Sequence, residues 1–392
     1  MTAMTTPDPA PIAGSCDPAF ARVREAFAEN FALRDEIGGA VCVRVGGRSV
    51  VDLWGGHTDE ARTDPWQRDT LVNAYSVGKG ITVTLALHLV DASRLDLDAR
   101  VTDLWPEFGA AGKARATLRT LLSHRGGLPA VREPLPPGAM YDWPRMCSAL
   151  AAQAPYWAPD TAHGYHCNTY GFLVGELVRR ATGLGVGDAL RRFVTGPRGA
   201  DFHIGLPSRE HGRVATLHGP AAQTVPPEYA DRFPEPTGDA ELDAMRRNTY
   251  FNPPGVSGAG TVNTPAWREA AIPSTNGHGT ARAVASVYDA TLGRGAAALS
   301  SDVRDEACRI HSDGDDLVLG RPSRFGLGYQ LAQPSRPLGP NPKTYGHYGH
   351  GGTLGFADPD ADLAFGYLMN RPGQRWQTPR TQALIDALYE SL

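Results

Sequence analysis

Residues 75–90 read YSVGKGITVTLALHLV: a serine, and three positions later a lysine, at the head of a run that is apolar on nearly every side. A surface helix carries a single apolar stripe, so a run this continuous predicts a helix buried at the centre of the protein. Positions i and i+3 share a helix face, which sets the Lys79 ammonium beside the Ser76 hydroxyl. Unpaired N–H groups at a helix N-terminus favour developing negative charge, so the Ser76 N–H is a ready oxyanion donor. A lysine in apolar surroundings is costly unless paired or deprotonated, and a depressed pKa is what a general base needs. Lysine is otherwise confined to Lys113 and Lys343 in this arginine-rich chain, which marks position 79 as a specific choice. S-x-x-K alone is a weak pattern, because serine also caps helices, so the weight falls on what accompanies it.

Upstream, GGAVCVRVGGRSVVDLWGG (38–56) reads as two β-branched runs parted by Gly46 and Gly47, the signature of a hairpin. From Ala92 to Gly279 helical segments such as Gly171–Ala181 alternate with Pro- and Gly-rich connections, notably Glu133–Gly138 and Pro220–Pro254, which are expected to roof a site. Strand-like text returns with FGLGYQL from Phe325 and TLGFADPDADLAFGYLMN from Thr353, whose Asp358–Asp362 makes a turn, before a helix from about Thr378. Strands near both ends around a helical middle predict an α/β fold. Its sheet domain would be discontinuous, over 21–91 and 280–392, with a mainly helical domain of long loops inserted over 92–279 and a disordered arm over 1–20.

The chain's 392 residues, 41% of them hydrophobic, can bury a sizeable core. A net charge of -4 offers no broad basic field for a phosphate backbone, so nucleic acid is not the expected partner. No window approaches the ~18 consecutive apolar residues of a membrane span, and Met1–Phe20 lacks a basic start and an apolar core, so a cytoplasmic protein is expected. Five cysteines without CxxC spacing read as reduced thiols.

Three further stretches join the serine and lysine: LLSHRGGLP (121–129), HGYHCNTYG (163–171) and GHYGHGGTLGFADP (346–359), with DLWGGHTDEARTDPW (52–66) ahead of Ser76. In this order they resemble the class C β-lactamase-like, penicillin-recognising serine enzymes, from about Gly38 to the C-terminus, and especially the family VIII carboxylesterases and related transacylases. The resemblance implies a β-lactamase/DD-peptidase-like fold, an antiparallel sheet flanked by helices with an inserted mainly helical domain. It also implies that the phenol of Tyr165 shares the serine proton with Lys79, Tyr156 and Tyr170 being the rival tyrosines. In the Y-x-N-type element that Tyr165 opens, Cys167 stands at the third position and Asn168 is displaced by one; both are candidate substrate contacts. For the family's K-T-G strand the match is His347-Tyr348-Gly349, with Lys343-Thr344-Tyr345 as the competing register. The first makes His347, Tyr348 and Gly349 substrate-binding and the His350 N–H the oxyanion partner of Ser76.

Other chemistries find little footing. His163 and His166, like His347 and His350, stand at i, i+3, yet no H-E-x-x-H or carboxylate-rich pattern accompanies them, so neither metal nor cofactor is expected. G-x-S-x-G and G-x-x-x-x-G-K-[ST] are both missing, which argues against an α/β-hydrolase and an NTPase. Ser123 and His124 are neighbours and so poorly placed to face one another; within the resemblance they end a structural helix. The expected activity is acyl transfer from a small-molecule ester or amide through an acyl-Ser76 intermediate, with water as acceptor in a carboxylesterase. The alternative is a transacylase serving an amine or alcohol acceptor; a β-lactamase, a DD-peptidase and an inactive binding protein stand behind these. Oligomeric state has no signal in the sequence.

Overall fold

The computed structural model describes residues 10–219, 235–255, 259–333, 337–374 and 376–392. Among these, the chain builds β1 (Ile12–Cys16), β2 (Gly38–Val45), β3 (Arg48–Gly56), then the two-residue strands β4 (Val72–Asn73), β5 (Phe202–His203) and β6 (His278–Gly279). The remainder are β7 (Ser312–Asp316), β8 (Arg321–Phe325), β9 (Gln330–Leu331), β10 (Tyr345–Tyr348), β11 (Leu354–Asp358) and β12 (Leu363–Met369). The short strands pair as β4-β6-β5, and the other nine form one antiparallel sheet in the order β1-β3-β2-β12-β11-β10-β9-β8-β7. All nine lie outside residues 92–279, whose chain is mainly helical.

The hairpin expected over 38–56 is β2–β3, turning through Gly46 and Gly47 with φ of 57° and 77°, the left-handed region that glycine enters at no steric cost. The second hairpin, β11–β12, closes at Asp358–Asp362 as read from the sequence. Side chains alternate across a strand, so each face of the sheet carries its own core. One face holds Val41, Val51, Phe356 and Phe365 under the helices Ala21–Leu33 and Pro379–Tyr389. The C-terminal helix is tied beneath the surface to the chain ahead of β2: Arg380 pairs with Glu36 at 2.8 Å, both side chains wholly buried, and the Tyr367 hydroxyl donates to the other Glu36 oxygen.

On the other face lies the helix Val77–Asp91, buried from Val77 through Leu87 and again at Leu89, as its all-round apolar text requires. It packs against β10, the helix Ala281–Thr291 and the helix Tyr170–Thr182. Its N-terminus therefore opens at the junction of the sheet and the helical region, which positions the site.

Three expectations need correction. Residues 1–9 of the expected arm lie outside the described residues, but Ile12–Cys16 is a strand on the open edge of β3. It is held by backbone bonds with its side chains largely exposed, so it leaves no apolar signature. In FGLGYQL only Gln330 and Leu331 are extended as a new strand, because Phe325 ends β8 and 326–329 bend between them. The loop read over Pro220–Pro254 has 220–234 outside the described residues, and its later part holds a helix, Ala240–Phe251, started by the Asp239 carboxylate accepting from the Glu241 and Leu242 N–H groups. Among the described residues no helix is long and apolar enough to cross a membrane, and all five cysteines are free thiols, of which Cys42 and Cys147 are buried.

Candidate active site

Tyr75 enters the helix at φ 49°, a conformation costly for an aromatic residue and upheld here by packing of its ring edge-on to His350 at 5.2 Å. The turn brings Ser76 to the N-cap, 8% exposed. The Val77 N–H donates to Ala74 O, the Gly349 N–H to Thr353 O and the Gly352 N–H to Gly349 O. Among the described residues this leaves the N–H groups of Ser76 and His350 without a protein acceptor. The strand end at Gly349 runs hard against the turn: a Cβ there would stand 2.0 Å from Thr353 Oγ1, 2.6 Å from Ala74 O and 3.4 Å from Ser76 N, so only glycine fits.

One helical turn on, the Lys79 Nζ lies 2.9 Å from Ser76 Oγ and donates to the Ser274 carbonyl at 2.8 Å, with the side chain fully buried. Burial pushes its pKa down to about 8, against a smaller opposing effect of Cys167. Lys79 makes no ion pair among the described residues. The amine is thus held by hydrogen bonds to neutral oxygens and is ready to lose its proton.

The Tyr165 ring sits under that amine, 4.8 Å from Nζ to the ring centre. Its hydroxyl is buried without a hydrogen bond of ordinary geometry, and burial holds the phenol well above the usual tyrosine range, with Ser76 placed to counter the shift. Phe325 stacks on the ring at 6.0 Å, and Trp376 meets it edge-on at 5.2 Å. The rival tyrosines are engaged elsewhere, Tyr170 donating to Leu122 O at 3.2 Å and Tyr156 lying under Arg132 at 3.8 Å.

His347 also comes to the pair, its ring 6.0 Å from that of Tyr165 and fully buried. Its Nδ1 is 2.6 Å from Tyr348 O, which places the proton on Nδ1 and leaves Nε2 a lone pair. Burial, then the neighbouring Lys79, pushes its pKa to about 3, so the imidazole is neutral near pH 7. The competing Lys343 is exposed and paired with Asp360 at 2.9 Å, away from this buried group. Tyr348 alternates to the far face of the sheet among Leu354 and Phe356, so the expected side-chain contact with substrate is replaced by a core role. His350 is exposed, with its ring on Tyr75. Cys167 is half-buried beside Lys79. Asn168 donates its side-chain amide to Thr249 O at 3.0 Å, and its backbone carbonyl accepts the Ser274 hydroxyl at 2.9 Å, so it braces the residue that holds Lys79.

Three residues of the site are not assigned to it from the sequence: Ser274 and Asp316 draw no notice there, and His124 reads as a helix end. Ser274 offers its carbonyl to Lys79 from 195 positions away, and nothing local distinguishes it. His124, at φ 60°, accepts the His166 N–H on Nδ1 at 3.1 Å and lies 5.3 Å from the Tyr165 ring. Asp316 takes the Tyr165 N–H on both carboxylate oxygens, at 3.1 Å each. A positive φ at a histidine cannot be read from its neighbours, and the last aspartate of Asp313-Gly314-Asp315-Asp316 looks like part of any turn. No group of three or more His, Cys, Asp or Glu side chains able to hold a metal occurs among the described residues.

A nucleophile and lysine one turn apart at a buried helix N-terminus, a tyrosine beneath them and a strand end alongside form one arrangement, and the family model described as Beta-lactamase matches residues 23–388. The chain belongs to the Beta-lactamase family. Its antiparallel sheet with flanking helices and a helical region is that family's fold, and it is a serine hydrolase with esterase relatives. The crystal structure of a family VIII carboxylesterase is 38% identical and superposes with a TM-score of 0.89, covering 97% of this chain and 100% of that one. A penicillin-binding protein homologue from Caulobacter crescentus is 36% identical at a TM-score of 0.87, over 97% and 100% of the two chains. The esterase/beta-lactamase LipL of Mycobacterium tuberculosis is 33% identical over 375 residues, 91% of this chain and 82% of LipL.

Proposed function

We propose that this Beta-lactamase family member is a carboxylesterase that cleaves small-molecule esters through an acyl-Ser76 intermediate. The observation that carries the reading is the 2.9 Å contact between Ser76 Oγ and a Lys79 whose pKa burial lowers to about 8. In its neutral form Lys79 accepts the Ser76 proton across that contact, alone or with the Tyr165 phenol as relay, while Ser274 O retains one of its N–H groups. Ser76 Oγ attacks the ester carbonyl, and the N–H groups of Ser76 and His350 hold the oxyanion. Lys79 and Tyr165 return the proton to the departing alcohol. Water, deprotonated by the same pair, then attacks the acyl carbon and frees the acid and Ser76.

Esters are favoured over β-lactams by two features of the wall. His347 stands neutral in the strand where a lysine would attract a substrate carboxylate, and Asn168 has its amide on Thr249. The esterase names of the relatives support the same choice. The test is covalent labelling with a fluorophosphonate and turnover of a short-chain p-nitrophenyl ester. Ser76→Ala should abolish both with the fold intact by circular dichroism; turnover within about tenfold of the parent would remove Ser76 as nucleophile. Adding amines and alcohols during turnover then separates hydrolysis from transfer: constant release of free acid marks an esterase, saturable amide or ester formation with one acceptor a transacylase.

A further inference from the structure

Tyr165 stands on irregular chain, in neither helix nor strand, so no ladder of backbone bonds sets its height over the nucleophile. Side chains and isolated carbonyls do so instead. The Gly164 N–H donates to His124 O at 3.2 Å, the His166 N–H to His124 Nδ1 at 3.1 Å, and the Tyr165 N–H between them reaches Asp316. Asp316 ends β7 and is 2% exposed. Its Oδ1 also accepts the Val318 and Leu319 N–H groups at 2.9 Å each, and its Oδ2 accepts the Ser323 hydroxyl at 2.8 Å. His163 Nε2 lies 3.1 Å from that hydroxyl. A buried carboxylate provided with this many donors is held in one orientation, and it meets the Tyr165 N–H with both oxygens.

From this we infer that Asp316 is a positioning residue for the reaction: by clamping the Tyr165 backbone to the β7–β8 hairpin it sets the phenol against Ser76 and Lys79. The inference rests on the reading of Tyr165 as part of the proton relay. A misplacement of about 1 Å at a reacting group can cost on the order of a hundredfold in rate, so a clamp on irregular chain has kinetic consequences.

The substitution Asp316→Asn weakens the clamp. An amide oxygen in the Oδ1 place still accepts from Val318, Leu319 and Tyr165, which preserves the turn, but the amide nitrogen in the Oδ2 place sets a donor against the Tyr165 N–H. Asp316→Ser is the second variant, since its hydroxyl is able to cap the turn while being too short to reach Tyr165. Each should lower kcat for a p-nitrophenyl ester about 10- to 100-fold with KM held within about twofold. In a Tyr165→Phe background the same changes should cost less than about threefold, because the group they position is already gone. Equal losses in the two backgrounds, or unchanged kcat in both variants with only a lowered melting temperature, would overturn the inference and leave Asp316 a turn cap. Full activity in Tyr165→Phe alone would instead overturn the relay reading, and this inference with it.

Discussion

The Lys79 amine lies 2.9 Å from the Ser76 hydroxyl oxygen, and its other hydrogen bond goes to the Ser274 carbonyl. Two neutral oxygens take two of the ammonium's three N–H donors and do not return the charge stabilisation lost with water. Burial is therefore the main influence on this lysine, and most of the pH behaviour of the enzyme follows from it.

The acylation rate should rise with pH. Burial lowers the Lys79 pKa to about 8, so the neutral base is the minor form at pH 7 and the major form above 8. With ester hydrolysis corrected for the uncatalysed reaction, kcat/KM is expected to climb about tenfold per pH unit below that point and to level off above it. A flat profile between pH 6 and 9 would contradict a base of this kind.

Lys79→Met should inactivate the enzyme and stabilise the fold at neutral pH. The folded-state pKa lies below the unfolded one, so below about pH 8 the native state carries a buried charge, a cost on the order of 3 kcal/mol. That cost is relieved as pH rises from the folded value towards the unfolded one. The melting temperature of the variant should accordingly exceed that of the parent at pH 7, and the gap should narrow at pH 10. A variant less stable at both would show that lost packing outweighs the relieved charge.

Tyr165→Phe and Lys79→Ala should each slow acylation by about 10² or more, and their losses should not multiply. The Lys79 amine stands over the Tyr165 ring, and Ser76 faces both groups, so they act on one proton. Burst kinetics with the double variant give the comparison; a loss equal to the product of the single losses would separate the two groups.

Arg380→Ala should cost about 3–5 kcal/mol, measured by urea unfolding, because it strands the Glu36 carboxylate in the core. The pair ties the C-terminal helix to the chain ahead of β2, on the sheet face opposite Lys79. Labelling of Ser76 in the remaining folded enzyme should stay within about threefold of the parent, and a larger fall would mean that the far face sets the geometry of the site.

The elements that frame the site were legible because local spacing encodes them. An apolar run with no polar face must be buried, and a serine and lysine three apart on it must share a side, so residues 76–91 could be placed without any neighbour. Gly46–Gly47 and Asp358–Asp362 mark hairpins by the same local logic. Strand β1 was not legible, since edge pairing through the backbone asks nothing of its side chains. Alternation along β10 separates His347 from Tyr348, yet which of the two faces Lys79 depends on where the buried helix packs. The controls on proton transfer are the least local of all. Lys79 meets Ser274 across 195 positions and Tyr165 meets Asp316 across 151, each through one donor group, between segments that carry no periodic signal. Periodicity specifies how a segment folds on itself; the partner it meets is set by how whole segments pack, and in this enzyme that packing holds the amine and the phenol against one serine.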